Sequence, residues 1–186
     1  MAVIAALLTS LTVAREWERG TMEQLVSTPL KTPELIIGKL LPYLLIGFMD
    51  TVIALTMSVF LFGIPLKGSV VLLMVLGSMF LFGALCWGIF ISIVARTQLL
   101  ASQIALVSSF LPAFLLSGFM FSIWNMPKPL QLVTYIVPAR YFVTILKGIF
   151  LKGSTLVHLS GQAILLAVYG AIVFTAATRK FRKKVE

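Results

Sequence analysis

One cysteine and one histidine are all that 186 residues contain. Cys86 has no second thiol for an intramolecular disulfide, and with His158 far along the chain it forms neither a zinc ligand set nor a Cys/His nucleophile. Serine is plentiful, but no G-x-S-x-G occurs. The phosphate-cradling G-x-x-x-x-G-K-[ST] is missing as well. Gly38-Lys39 lacks both the leading glycine and the following hydroxyl, so the chain carries no ATP site of that kind and no cofactor is expected on it. Acidic residues number six against 15 Lys and Arg, for a net charge of +9. Those bases lie between and beside long apolar runs, not in a stripe interleaved with aromatics, which argues against nucleic acid as a partner. The start has no basic segment and no small-residue cleavage site, so it does not read as a secretory signal.

What is present is apolar. Hydrophobic residues make up 60%, charged ones only 11%, and the mean hydropathy is +1.06. Soluble domains run near half apolar and about a quarter charged, so this composition belongs in lipid. A bilayer offers the backbone no hydrogen bonds, and the apolar runs carry no strand alternation. The expected class is therefore all-α, a polytopic membrane helical bundle.

The chain is organised around one charged island, Arg15-Glu16-Trp17-Glu18-Arg19-Gly20-Thr21-Met22-Glu23, in which five of nine residues are charged. The apolar stretch 1–14 before it reaches about 21 Å as a helix, short of a bilayer core of roughly 30 Å. It reads as the inner end of a span that begins earlier, in a longer protein or in a natural truncation of one. Such an island must sit in water on one membrane face, within reach of a soluble partner. Glu16 and Arg19, and Arg19 and Glu23, have the spacings of helical side-chain pairs, while Gly20 predicts a break. Thr21-x-x-Gln24 fits a capping box, and Glu23 suits the positive end of a helix dipole. Thr28-Pro29 would end that helix after about two turns, and Thr32 as N-cap with Pro33 at N1 would start the next. The segment 15–32 thus predicts a short amphipathic helix lying along the membrane, with Trp17, Met22, Leu25 and Val26 on its apolar side.

Transmembrane helices are expected over 35–62, 70–95, 99–121 and 156–178. In the first, Lys39 can snorkel to the interface, Pro42 predicts a kink, and Asp50 sits near mid-depth. An intramembrane acid is a functional candidate, or else an acid hydrogen-bonded to a neighbouring helix. In the second, Ala84 and Gly88 form a small-xxx-small pair suited to close packing. In the third, Gln103 and Ser117 are polar groups that could line a path or bond their own backbone. Segment 122–153 changes character, with Trp124, Tyr135, Tyr141, three prolines and several bases. If 130–151 crossed the membrane, the basic tail 179–186 would be exported. Kept on one side, the count is ten bases on the inner face against five on the outer, which obeys the positive-inside rule. Two short re-entrant helices broken at Pro138 are therefore expected on the outer side, capping a pathway.

The runs R-E-W-E-R-G-T-M-E-Q-L-V-S-T-P (15–29), G-K-L-L-P-Y (38–43), L-S-G-F-M-F (116–121) and P-A-R-Y-F (138–142) resemble the membrane subunit of ABC-2-type exporters. The likeness extends over essentially the whole chain and is nearest to bacterial inner-membrane permeases described as multidrug ABC transporter permeases. It implies an ABC-2 permease bundle with a cytoplasmic coupling helix at 21–28 and external re-entrant helices at 122–152. It also implies a homo- or heterodimeric pore and a separate ATPase subunit that carries ATP and Mg. That family pattern has six spans and a large external domain, of which this sequence holds the C-terminal portion.

On this resemblance the chain is a permease and not an enzyme. The residues expected to couple to the ATPase are Arg15, Glu16, Glu18, Arg19 and Gly20, with Thr21, Glu23, Gln24, Leu25 and Pro29. Asp50, Gln103, Ser117, Pro138, Arg140 and Tyr141 are candidates for the path or its gate. The inner membrane, with a cytoplasmic C-terminus, is the expected location. Two rival functions remain at this point: a proton-coupled secondary transporter using Asp50, and a membrane scaffold that moves nothing.

Overall fold

The computed structural model describes residues 2–21, 31–65, 67–95, 97–154 and 156–185. Among them no strand occurs, and seven α-helices carry the fold: α1 (Ala2–Glu18), α2 (Thr32–Phe60), α3 (Val70–Ala95), α4 (Gln98–Leu115), α5 (Lys128–Thr134), α6 (Pro138–Lys147) and α7 (Leu156–Val185). Among the described residues four helices are long and apolar enough to cross a membrane: α2, α3, α4 and Val157–Phe181 of α7. The bent pair α5 and Pro138–Lys152 would make a fifth if it counts as one span.

The apolar start and the first charges form one helix, which ends at the break expected at Gly20. α1 runs through Arg15, Glu16 and Glu18 because nothing in that stretch breaks a helix, and Trp17 packs on the core. It stops at Gly20, whose φ is +68°. The Gly20 N–H donates to Trp17 O at 3.3 Å and the Thr21 N–H to Glu16 O at 3.1 Å. This is a Schellman closure, with glycine at the one position where a side chain would be strained. The two-turn helix expected beyond it, with Glu23, Gln24, Leu25 and Pro29, falls on 22–30, outside the described residues.

Three boundaries differ from expectation. In α2, Lys31 is the extended cap residue and Thr32 is already helical; the Glu34 carboxylate accepts the Lys31 N–H at 3.1 Å. α4 ends at Leu115 and not at 121, because Gly118 turns the chain at φ +76° and the Ser117 Oγ accepts the Phe119 N–H at 3.3 Å. α7 continues to Val185, past the end expected at 178. Lys and Arg are good helix formers and suit the negative end of the dipole, and Phe181 is buried in the core.

α3 is the central helix, packed by α1, α2, α4, α6 and α7. Its small residues set the spacing. Gly88 lies against Ala6 and Thr9 of α1, and Gly83 against Tyr169 and Gly170 of α7. Three apolar clusters follow, the smallest joining Ala14, Ile91, Ala101 and Ala105 of α1, α3 and α4, and the two larger ones lying toward opposite ends. One gathers Val13, Ile36, Leu40, Leu85, Ile89 and Phe181 near the end that carries Arg15 and Lys39; the other gathers Leu76, Phe80, Val137, Ile145, Ile149 and Leu166 toward the opposite end. Segment 116–153 leaves and rejoins the bundle at that opposite end. The Lys147 Nζ donates to Gly118 O at 2.8 Å, and Gly153 lies against the Lys67 carbonyl in the α2–α3 turn.

Candidate functional site

Charge concentrates where α1 ends, α2 begins and α4 begins, and the island's residues reach both neighbouring helices there. Glu16 forms an ion pair with Lys39 of α2, which is the expected snorkelling lysine turned sideways onto a partner. Glu18 accepts the Gln98 backbone N–H at 2.8 Å and a second bond from the Gln98 side chain, so it caps the N-terminus of α4. These bonds hold the Glu18 carboxyl below its ordinary pKa, the side-chain bond first and the backbone bond second. The Arg15 Nε donates to Gln98 Oε1 at 3.4 Å. Arg19 is exposed and has no side-chain partner among the described residues. The Glu16–Arg19 pairing suggested by helical spacing is replaced by Glu16–Lys39, because Arg19 lies at the helix end and Lys39 comes alongside from α2.

One turn further in, α1 is locked to α3. The Ser92 Oγ, fully buried, accepts from the backbone N–H groups of Val13 and Ala14 at 3.0 and 2.8 Å. Gly88 sits four residues before Ser92 and meets Ala6 and Thr9 at the same helix face. Sequence reasoning singled out Gly88 but missed Ser92 and Gln98. Ser92 carries a signal in hindsight: it is a hydroxyl four residues beyond a small residue, on the face that Gly88 opens.

A second cluster forms at the bend between α5 and α6, which meet at 83°. The Arg140 guanidinium stands 3.9 Å over the Tyr135 ring and donates to the Thr134 hydroxyl. The Tyr141 hydroxyl donates to the Tyr135 carbonyl at 2.6 Å. Pro138 opens α6 at its first position, where a missing N–H costs nothing. The P-A-R-Y-F run is thus a brace that holds the three-residue elbow 135–137. Phe142 of the same run stacks on Phe80 of α3, with centroids 4.3 Å apart. The elbow lines an open pocket of about 220 Å³ together with α3, α4, Tyr169 of α7 and Ala2 of α1. Trp87 donates to Ser108 Oγ at 3.1 Å on its wall, and the buried Ser109 Oγ there has no partner among the described residues.

Pro138, Arg140 and Tyr141 therefore come together. Ser117 is buried at the end of α4 in its own turn, while Gln103 lies exposed on α4. Asp50 lies exposed on α2 beside Ile46, Met49 and Ile53, with no hydrogen bond or ion pair among the described residues. No group of three or more His, Cys, Asp or Glu side chains suited to a metal occurs among the described residues.

A helical bundle with a charged, internally braced end and a bent segment at the opposite end agrees with what similarity finds. The family model for the ABC-2 type transporter matches residues 1–151. The chain belongs to the ABC-2 type transporter family. This ABC-2 chain is 46% identical over 178 residues to the probable multidrug ABC transporter permease YbhS of Escherichia coli (strain K12), covering 96% of the chain and 47% of that relative. It is 38% identical over 185 residues to the probable multidrug ABC transporter permease YbhR of the same organism, covering 96% of the chain and 48% of that relative. Similarity extends to ABC transporter G family member 20 of Dictyostelium discoideum, 23% identical over 167 residues, covering 90% of the chain and 23% of that protein. No solved structure matches. The chain spans about half the length of the bacterial relatives it matches. Those relatives are named permeases, transport components and not enzymes, and with its apolar helices this ABC-2 chain is a multi-pass membrane protein.

Proposed function

We propose that this chain is the part of an ABC exporter permease that receives motion from a separate ATPase subunit and passes it to the translocation path. The observation that carries the reading is the bracing of α1. Its end is tied to α2 through Glu16–Lys39 and to α4 through Glu18–Gln98, while its middle is locked to α3 by Gly88 and Ser92. A load applied at Thr21–Thr28 would then move several helices together instead of bending one loop. ATP and Mg belong to the partner subunit, whose closure would press on that segment in each of two permease copies. Glu16 and Glu18 serve this coupling from inside, as braces. Arg15, Arg19, Gly20 and Thr21 with Glu23, Gln24, Leu25 and Pro29 supply the face that docks.

The basic end is the cytoplasmic end in this reading. Bases outnumber acids there, and the positive-inside rule then puts the inner membrane's cytoplasmic face at Arg15, Lys39 and the α7 terminus. The bent segment 122–153 lies outside, with the elbow at Arg140 set into the bundle. Its departure and return at one end support a re-entrant hairpin over a fifth crossing. The word multidrug in the names of the bacterial relatives favours drugs as cargo.

The test is co-purification of the full-length permease from native membranes, with ATP hydrolysis assayed in the eluate. An ATPase should come down with the wild type and be lost from Glu23→Lys. An eluate without ATPase activity from well-folded wild-type protein would refute the coupling.

A further inference from the structure

A groove of about 590 Å³ opens between α1 and α2 at the charged end. Its rim carries three cations, Arg15, Arg19 and Lys39, and one carboxylate, Glu16, which Lys39 already neutralises. Among the described residues the rim therefore has an uncompensated charge of +2, borne by two arginines. Arg19 has no side-chain partner among the described residues, and Arg15 spends a single N–H on a long bond to Gln98. Below the rim the wall changes character. Leu8 and Leu11 face it from α1, Pro42 and Tyr43 from α2. Leu8 lies seven residues before Arg15, about 10 Å deeper along the helix.

We propose that this groove binds the headgroup and upper acyl chain of an anionic phospholipid. An amphiphile is the only simple ligand that satisfies both halves. Inorganic phosphate would fill the rim and leave the leucines and Tyr43 facing water. A neutral apolar molecule would cover the wall and leave two arginines unpaired. A zwitterionic headgroup brings its own cation toward a rim that is already positive. Guanidinium groups pair with phosphate through two parallel N–H bonds, and cationic pockets between membrane helices suit anionic headgroups. The groove lies at the level where the helices pass from apolar to charged residues, which is where a phosphodiester sits. The bound lipid would bridge α1 and α2 beside the Glu16–Lys39 pair. Arg15 and Arg19 also belong to the docking face proposed above, so a bound lipid would share them with a docked ATPase; lipid binding itself does not depend on that coupling.

The test uses the whole chain in nanodiscs of mixed phosphatidylglycerol and phosphatidylcholine, released gently into the gas phase for native mass spectrometry. Phosphatidylglycerol should be retained in preference to phosphatidylcholine, and added salt should reduce the retention. At roughly fivefold per interfacial cation, Arg15→Ala/Arg19→Ala should lose phosphatidylglycerol by about twenty-five-fold. Arg15→Lys/Arg19→Lys, which keeps the charge, should retain most of it and shows that loss is not misfolding. Equal retention of the two lipids, or unchanged retention in the alanine variant, would overturn the proposal. So would displacement of the lipid by millimolar inorganic phosphate, which would make the rim a free-phosphate site. A second protein chain shielding a Leu8→Cys label in lipid-free dimers would overturn it as well.

Discussion

Gly88→Ala asks whether α1 and α3 act as one body. A β-carbon built at Gly88 would stand 2.0 Å from Thr9 Oγ1, 2.4 Å from Ala6 O and 3.0 Å from Ala6 Cα. The hydroxyl could swing away, but the carbonyl and Cα belong to the helix backbone. An ordinary carbon–oxygen contact needs about 3.4 Å, so α1 would have to retreat by roughly 1 Å along a face that Ala5, Val13 and Ala14 also bury. Overpacking of that kind costs about 1–3 kcal/mol, and the backbone contacts put this case at about 2–3. The retreat would also lengthen the bonds from Val13 and Ala14 to Ser92. In detergent the melting temperature should fall by roughly 5–10 °C. Thr9→Ala in the same chain should recover only part of the loss, since it relieves the hydroxyl and not the carbonyl. Gly38→Ala is the control: nothing lies within 4 Å of its β-carbon, and alanine in a helix should be neutral or stabilising by up to about 1 kcal/mol. If Gly88→Ala melts like the wild type, α1 and α3 are not interlocked at this point, and the transmission of force through α1 loses its physical basis.

Two further outcomes follow from the charged end and the elbow. Glu18 has a depressed pKa, so its bonds to Gln98 contribute above its unfolded value of about 4.5 and are lost as pH falls through the lower folded value. Acid melts of the wild type should show that loss, and Gln98→Ala, which removes the side-chain bond and keeps the backbone N–H, should reduce the Glu18-dependent part by more than half; identical acid profiles would refute the cap. Arg140→Ala should loosen residues 134–138 by about 1–2 kcal/mol, read as faster amide exchange at the elbow with α3 unchanged, and Arg140→Lys should recover only part because it keeps the charge but not the planar stack. Unchanged exchange in Arg140→Ala would mean that Pro138 alone sets the bend.

Composition and the charged island were enough to determine an all-helical membrane bundle, and the runs 15–29, 38–43, 116–121 and 138–142 carried its likeness to the ABC-2 family. Those features depend on local chemistry: an apolar run of 20 or so residues has one stable form in lipid, and Gly20 stops a helix wherever it packs. The exact ends of α4 and α7 were less legible, since the Ser117-Gly118 turn and the burial of Phe181 depend on neighbours distant in sequence. The partners of the charged and polar side chains were not legible at all. Helical spacing offered Arg19 to Glu16, and the structure offers Lys39; the sequence named Arg140 and Tyr141 as candidates for the path or its gate, and their partners, Thr134 and Tyr135, could be read only from the structure. A side chain in a bundle chooses among groups on several helices, and that choice is made by how closely the helices approach. Gly83 and Gly88 announce that a close approach is possible, but only the packed structure decides which helix takes each place, α1 at Gly88 and α7 at Gly83.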